Sequence, residues 1–537
     1  MAKVKKKNSS FIVLMIVFIT ALVFRAVLVR IIGSKGVCFF ALPNELFFLM
    51  AGSVSFGIEE ATASMVENRM NRQQYKNAEN VAGYSLAYAA AVGVSIGLIL
   101  LICMNVVVNR FFNLHLSYLS YYFILPAIPM FTICGSIKGY FKGVNNSSVI
   151  SLSMFIFVLS YAVLGSVFGF ICMNYGQRVS LLLHNEEFAY SYGAMGASVG
   201  ILLSSFATMV YLLISYFLYK RRTVHGSSRE YSKFVDPAMQ VILNLGATAV
   251  VPFGLWAIYL LVPVLNIAMI FRSETQDFST DFSFGEYYGK TSSFAAISVF
   301  LIAVFAYPFI RKAIAAIKRE EYRNAREKLK SMIHRCSTLS FFAAAMLAVL
   351  ADNILDSFYV SSGEQSALYL QLQSICIVFA IFTVMFIEMI VSMQNYAFAL
   401  GITAFSFVIH LILSFIFIRV LKLSIIGMII GNFFFYLIIA LVSFMFISRA
   451  FQYTQEWFRT FVVSLIGALI SALIGMLLNN VISPLVGKSI SMIIVLVLCS
   501  LLYIVILLAL KGYQEEELES SPLGRLVLTI GRTLNLI

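Results

Sequence analysis

Apolar runs of 20 to 31 residues follow one another along the chain, separated by short polar breaks. Their cores fall at 11–32, 38–58, 80–108, 118–140, 147–173, 192–219, 239–269, 287–310, 332–351, 366–390, 396–420, 424–448, 458–480 and 489–510. A helix crosses a bilayer with about 20 apolar residues, whereas a barrel strand needs only about 10. The pattern therefore predicts an all-α polytopic membrane protein of about fourteen transmembrane helices. Composition agrees. Of 537 residues, 61% are hydrophobic and 12% charged, against about 25% charged in a soluble chain.

Charge then sets the orientation. With the N-terminus inside, the cytoplasmic segments hold roughly 28 Lys and Arg and the outer ones roughly 8, as the positive-inside bias requires. The basic N-terminal segment 3–7 and the loops 220–233 and 311–330 contribute most, while the segment 272–286 carries Glu274, Asp277, Asp281 and Glu286. Both termini are expected in the cytoplasm. The first run is read as a retained helix, because no small-residue cleavage site accompanies it. The net charge of +13 does not point to nucleic acid, since the basic residues fall between spans and form no aromatic-lined groove.

Two short repeats divide the chain. Tyr75-Lys76-Asn77-Ala78 matches Tyr322-Arg323-Asn324-Ala325, and the glycine pair Gly196/Gly200 matches Gly427/Gly431. The order is the same in both halves, and six spans per half preserve the topology, which gives parallel repeats related about the membrane normal. The expected domains are an N-lobe at 1–236, a C-lobe at 237–450, two extra spans within 451–511 and a cytoplasmic tail at 512–537. In the tail, Ser521 before Pro522 suits a helix start. Leu523, Leu526, Val527, Ile530 and Leu534 share a face that suits the inner leaflet, with a frayed tail as the alternative.

The chemistry-bearing residues are few. The seven cysteines lie in or beside apolar spans without a C-x-x-C pair, as small buried hydrophobes do. No metal site, phosphate-cradling glycine loop or nucleophile motif is recognisable, so neither a cofactor nor an enzymatic activity is expected. What remains is Arg25 and Arg30 inside the first span. An arginine at bilayer depth costs about 2.5–3.5 kcal/mol on insertion scales, so it either snorkels or lines a wet site. Five residues correspond to about 140° of helix rotation, so the two do not share a face. They are candidates for binding an anion in a central cavity between two bundles, together with Arg272 and Lys290. Glu45, after Pro43 and Asn44, is a candidate ion-pair partner of Arg25 or Arg30. Glu388 and His410 are candidate carriers of a coupling proton, a structural role being the alternative for the histidine. Pro252 and Pro263 in the seventh span are candidate hinges, and Pro308 is expected to end the eighth. Lys138 and Lys142 are placed at the inner interface.

Arg25-x4-Arg30-Ile-Ile-Gly33-Ser-Lys-Gly36, the following FFALPNELF, Lys138-Gly-Tyr-Phe-Lys142-Gly143 and Tyr288-Gly289 resemble the oligosaccharidyl-lipid flippases. These form the polysaccharide-transporter branch of the MATE-like superfamily, with the stage V sporulation protein B group and the lipid II flippases. The stretch 57–80 and the tail 515–536 share the likeness. The resemblance implies two six-helix lobes in a V plus two further helices, a bacterial inner-membrane location and alternating access. It also implies a polyprenyl-diphosphate-linked saccharide or peptidoglycan precursor as cargo, with first-helix arginines lining the cavity. A monomer is expected, with H⁺ or Na⁺ as open coupling ions. A multidrug and cation antiporter of the same superfold is the competing reading. It is disfavoured because the first span holds arginines and no acid, and no acid lies between Asp236 and Glu274. A membrane glycosyltransferase is more remote, because the segment 352–365 holds Asp352, Asp356 and Glu364 without a paired-carboxylate motif.

Overall fold

The computed structural model describes residues 2–224, 235–273, 278–319, 321–359 and 364–513. The expected tail helix therefore lies outside the described residues, as does most of the basic loop 220–233. Among the described residues every regular element is helical, as a bilayer requires of an open chain.

Residues 1–289 form one compact unit and 290–537 another. The first contains α1 (Ala2–Phe47), α2 (Ser53–Asn71), α3 (Tyr75–Asn105), α4 (Tyr118–Ile124), α5 (Ala127–Gly143), α6 (Ser147–Leu183), α7 (Glu187–Val224), α8 (Ala238–Ser273) and α9 (Phe278–Glu286). The second contains α10 (Ser292–Lys318), α11 (Tyr322–Val349), α12 (Ala351–Phe358), α13 (Glu364–Ser392), α14 (Tyr396–Phe415), α15 (Ser424–Ala450), α16 (Val463–Val486) and α17 (Lys488–Ala509). In the first unit α6 packs along α7, and α2 packs on α5 and α8. In the second, α13 packs on α10, α11 and α15, while α16 and α17 pack on each other.

Twelve helical runs among the described residues are long and apolar enough to cross a membrane, and α4 with α5 makes a thirteenth, bent by 44°. That bend falls at Pro126, which caps α5. The first run, Met15–Asn71, spans 57 residues, about 86 Å if straight, far more than a bilayer. It does not run straight. Gly33 sits at φ 68°, ψ 170°, a conformation that is essentially glycine-only. Arg25 and Asn44 would be about 28 Å apart along an unbroken helix, yet both reach the single hydroxyl of Tyr288. The run is a hairpin folded at Gly33 and supplies two crossings, which brings the total to about fourteen.

Two details differ from the sequence expectation. Pro308 does not end its helix: α10 continues to Lys318, because the turn after a proline can be held by packing against neighbours. The acidic segment before it is not a plain loop either, since residues 278–286 form α9.

Candidate functional site

The hairpin at Gly33 brings the first and second crossings face to face, and α9 completes the site. Ser34 donates a hydrogen bond to the buried carboxylate of Glu286, at the end of α9. Next to it, Lys35, 4% exposed, pairs with Glu187 of α7 at 3.2 Å. The chain after Glu286 then enters a π-helical turn, Tyr287–Thr291, the kind of local widening that often marks a functional position. This turn presents Tyr288 to the hairpin.

The Tyr288 hydroxyl is the centre of the arrangement. It donates to a carboxylate oxygen of Glu45. It accepts from Asn44 Nδ2 at 2.9 Å and from Arg25 Nη2 at 3.4 Å. The Arg25 guanidinium also lies over the Tyr288 ring, with Cζ 4.6 Å from its centroid, a favourable cation–π geometry. Asn44 is fixed in turn, because Tyr161 of α6 donates to its Oδ1 at 3.1 Å. Phe24 packs on Tyr161 and Phe284 stacks on Tyr288, which keeps both phenols in place. The expected Arg25–Glu45 partnership is thus indirect: the tyrosine hydroxyl bridges the two charges. Arg25 Nη1 is buried and has no hydrogen-bond partner among the described residues. A buried guanidinium donor left without an acceptor is costly, and an anion supplies such an acceptor, two-pronged where geometry allows.

The other sequence candidates are not gathered on this hydroxyl. Arg30, on a different face from Arg25, is exposed. Arg272, at the end of α8, is exposed, with Cζ 5.9 Å from the Phe111 ring. In the second unit, Lys290 is buried at 4% exposure, with Nζ 5.5 Å from the Tyr359 ring. Glu388 is exposed on α13. His410 is fully buried, packed against Phe435 and close to Gly431 where α14 meets α15. Pro252 and Pro263 both sit inside the continuous helix α8. Asn44, Tyr161 and Tyr288 were not singled out as site residues. The Asn44–Glu45 pair inside an apolar run was a usable signal, whereas Tyr288 stood out only through the Tyr288-Gly289 motif, which gave it no role until the fold placed it.

No family model matches the chain. The chain is 21% identical over 344 residues to stage V sporulation protein B of Bacillus subtilis (strain 168), a match over 63% of this chain and 63% of that protein. The matched stretch thus spans less than two thirds of the relative's length. Among solved structures, the lipid II flippase MurJ in its inward closed conformation aligns with a TM-score of 0.66 at 15% identity, over 93% of this chain and 98% of that one. An inward-facing multidrug resistance MATE family transporter of the MOP superfamily aligns with a TM-score of 0.63 at 14% identity, over 81% of this chain and 94% of that one. The chain is a multi-pass membrane protein with the fold that MurJ shares with the MATE transporters of the MOP superfamily, and its sequence resembles stage V sporulation protein B.

Proposed function

We propose that this protein is a flippase that moves a polyprenyl-diphosphate-linked saccharide or peptidoglycan precursor across a bacterial cytoplasmic membrane. The observation that carries the proposal is Arg25, a cation within a membrane span, positioned by Tyr288 and holding one buried donor without a partner. A diphosphate headgroup would lose its hydration in hydrocarbon at prohibitive cost, and Arg25 offers it a substitute. The relatives add support: one solved neighbour is named a lipid II flippase.

In this reading Arg25 contacts the diphosphate, and Asn44 with Tyr161 orients the tyrosine that holds it. Arg30, Arg272 and Lys290 are further basic positions along the headgroup's path. Transport proceeds by alternating access with both termini cytoplasmic and a monomer as the working unit. The six-span repeats 1–236 and 237–450, the extra pair within 451–511 and the tail 512–537 are its parts. Pro252 and Pro263 are the places where α8 flexes. The carrier acts without enzymatic chemistry of its own.

Native mass spectrometry of the purified protein beside an Arg25→Ala variant tests this. A bound polyprenyl-diphosphate lipid that is lost in the variant supports both cargo and site, and a lipid retained in the variant removes Arg25 from the site. The second reading, a cation antiporter, rests on the likeness to the MATE transporter. Tight binding of organic cations with no lipid in either sample would establish it instead.

A further inference from the structure

A basic surface lies in the second unit, on the hairpin of α10 and α11. Residues 291–310 carry no charge and are followed by Arg311 and Lys312. At 1.5 Å per residue this uncharged stretch is about 30 Å long, the thickness of a hydrocarbon core. On α11, Arg335 is the last charged residue before Asp352. The two helices meet at that level: the Arg335 guanidinium lies over the Phe309 ring, with Cζ 4.4 Å from its centroid. Both uncharged runs therefore end together, and Arg311, Lys312 and Arg335 mark the membrane–water boundary at this end of the unit.

The side chains at this boundary repeat one pattern. Phe305, Phe309 and Lys312 follow one face of α10, and Tyr307 and Arg311 follow the neighbouring one. In each row the rings lie deeper and the cation nearer the helix end. Lys312 Nζ is 5.6 Å from the Phe309 centroid, and Arg311 Cζ is 5.8 Å from the Tyr307 centroid. Phe309 thus carries a cation from each helix, Lys312 from α10 and Arg335 from α11. Phe305 and Tyr307 are 46% and 48% exposed, so they present aromatic surface outward, and Arg311 and Lys312 are exposed beside them. Neither Arg311 nor Lys312 has an ion pair or a hydrogen bond among the described residues. The first acids of α11 and its approach are engaged elsewhere: Glu327 pairs with Arg323 at 3.7 Å, and Glu321 accepts from Asn324 at 2.9 Å. Helix α10 itself, from Ser292 to Lys318, contains no acid.

Cations gathered without acids suit an anion, and exposed rings one turn deeper suit hydrocarbon. An amphipathic anion meets both at once, whereas a free phosphate would leave the rings uncovered. We propose that this face of α10 and α11 binds an anionic phospholipid of the surrounding bilayer. Its headgroup phosphate lies between Arg311 and Lys312, which supply a forked donor and a point charge. Its acyl chains run along Tyr307 and Phe305. Arg335 holds the Phe309 ring in place and adds its own charge to the site. Anionic lipids collect at basic positions of this kind beside the cytoplasmic ends of spans, and in the orientation proposed above the leaflet concerned is the inner one. The site is separate from Arg25 and from the identity of the cargo.

Native mass spectrometry of the full-length protein in detergent, titrated with phosphatidylglycerol or with phosphatidylcholine, tests this. The wild type should take up one phosphatidylglycerol at concentrations at which phosphatidylcholine does not bind. The double variant Arg311→Gln/Lys312→Gln should bind it about 30-fold more weakly, at ~1 kcal/mol per cation. Arg323→Gln, which removes an exposed cation that already has a partner, should match the wild type. Equal uptake by the wild type and the double variant would overturn the site, and equal uptake of the two lipids would overturn the anionic headgroup. A loss in Arg323→Gln as large as in the double variant would reduce the effect to overall charge and overturn the site as well. The rival occupant is the chain's own acidic stretch at 515–519. Phosphatidylglycerol that binds only after Glu515, Glu516, Glu517 and Glu519 are changed to Gln would assign the surface to that stretch instead. Thermal melts of each variant separate loss of lipid from loss of fold. Arg25→Ala should retain the phosphatidylglycerol, and the double variant should retain any polyprenyl-diphosphate lipid, so failure of this proposal and failure of the flippase proposal are read separately.

Discussion

Replacing Gly33 with alanine should do more damage than a methyl added to an uncrowded helical glycine. Gly33 holds φ 68°, ψ 170°, and forcing a side chain into that region costs about 1–3 kcal/mol. Crowding adds nothing, because the new Cβ would meet only the Tyr190 ring at 3.4 Å, an ordinary contact. The molecule provides its own control. Gly83 and Gly401 are helical and a Cβ at either meets nothing within 4 Å, so alanine there should be neutral or favourable by up to about 1 kcal/mol. The expected gap between Gly33→Ala and Gly83→Ala is then about 1–4 kcal/mol, or roughly 1–4 °C for a chain of this length. Thermal unfolding in detergent, followed by tyrosine and tryptophan fluorescence, measures it. The same hairpin brings Arg25 and Asn44 to one hydroxyl, so Gly33→Ala should also reduce any lipid bound through Arg25. A Gly33→Ala protein that melts with or above Gly83→Ala would refute the reasoning, since the turn would then not depend on glycine.

Gly139→Leu should destabilise by at least about 1–3 kcal/mol, because a Cβ there would fall 2.6 Å from the Glu59 carbonyl oxygen and overpacking would drive α5 off α2; the same fluorescence melt would show it. Glu45→Gln keeps an acceptor for Tyr288 but removes a negative charge, which at an assumed ~8 Å and effective dielectric of about 20 is worth about 2 kcal/mol. Native mass spectrometry with an added polyprenyl diphosphate should therefore show tighter binding in Glu45→Gln, by roughly 30-fold; equal or weaker binding would place Glu45 in a purely structural role. Near the start of α16, a hydrogen bond from Lys330 and the nearby Arg459 hold the Glu456 carboxyl below its usual range. A lowered folded value stabilises above the ordinary carboxylate range, and the gain disappears as pH falls through the lowered value. Glu456 is half exposed, so Glu456→Gln should cost about 0–1 kcal/mol at neutral pH and nothing in acid, as paired melts at the two pH values would report.

The architecture was legible because bilayer thickness imposes a length on every apolar run, and length is visible in one dimension. Arg25 stood out for the same reason: a charge within such a run is an exception. What stayed hidden depends on angles. Gly33 reads as one glycine among 31, and only its backbone conformation shows that it turns the chain back on itself. Glu45 was expected to pair with Arg25 or Arg30, but the hydroxyl that stands between it and Arg25 was not foreseen, since Tyr288 lies 243 residues away in a π-turn that no periodicity announces. Lys138 was expected at the inner interface as an ordinary basic residue. The close packing of Gly135, Gly139 and Gly143 on α2 beside it, and the direction of its side chain toward Phe131, become apparent only when α2 and α5 are in contact.

The hydroxyl between Arg25 and Glu45 has a consequence for the proposed transport. A direct buried ion pair would satisfy the arginine and leave little for a ligand, and breaking it would expose two uncompensated charges. With Tyr288 interposed, the carboxylate is satisfied by a neutral donor, Asn44 and Tyr161 complete the hydrogen bonding, and Arg25 keeps one Nη for an incoming oxygen. Glu45 remains close enough to oppose the negative charge of that ligand. A carrier benefits from such opposition, because a site must bind well enough to load and weakly enough to unload. In the proposed reading the acid is thus neither an accidental buried charge nor a catalytic group: it limits how tightly the arginine holds a diphosphate, and the tyrosine sets the distance at which it does so.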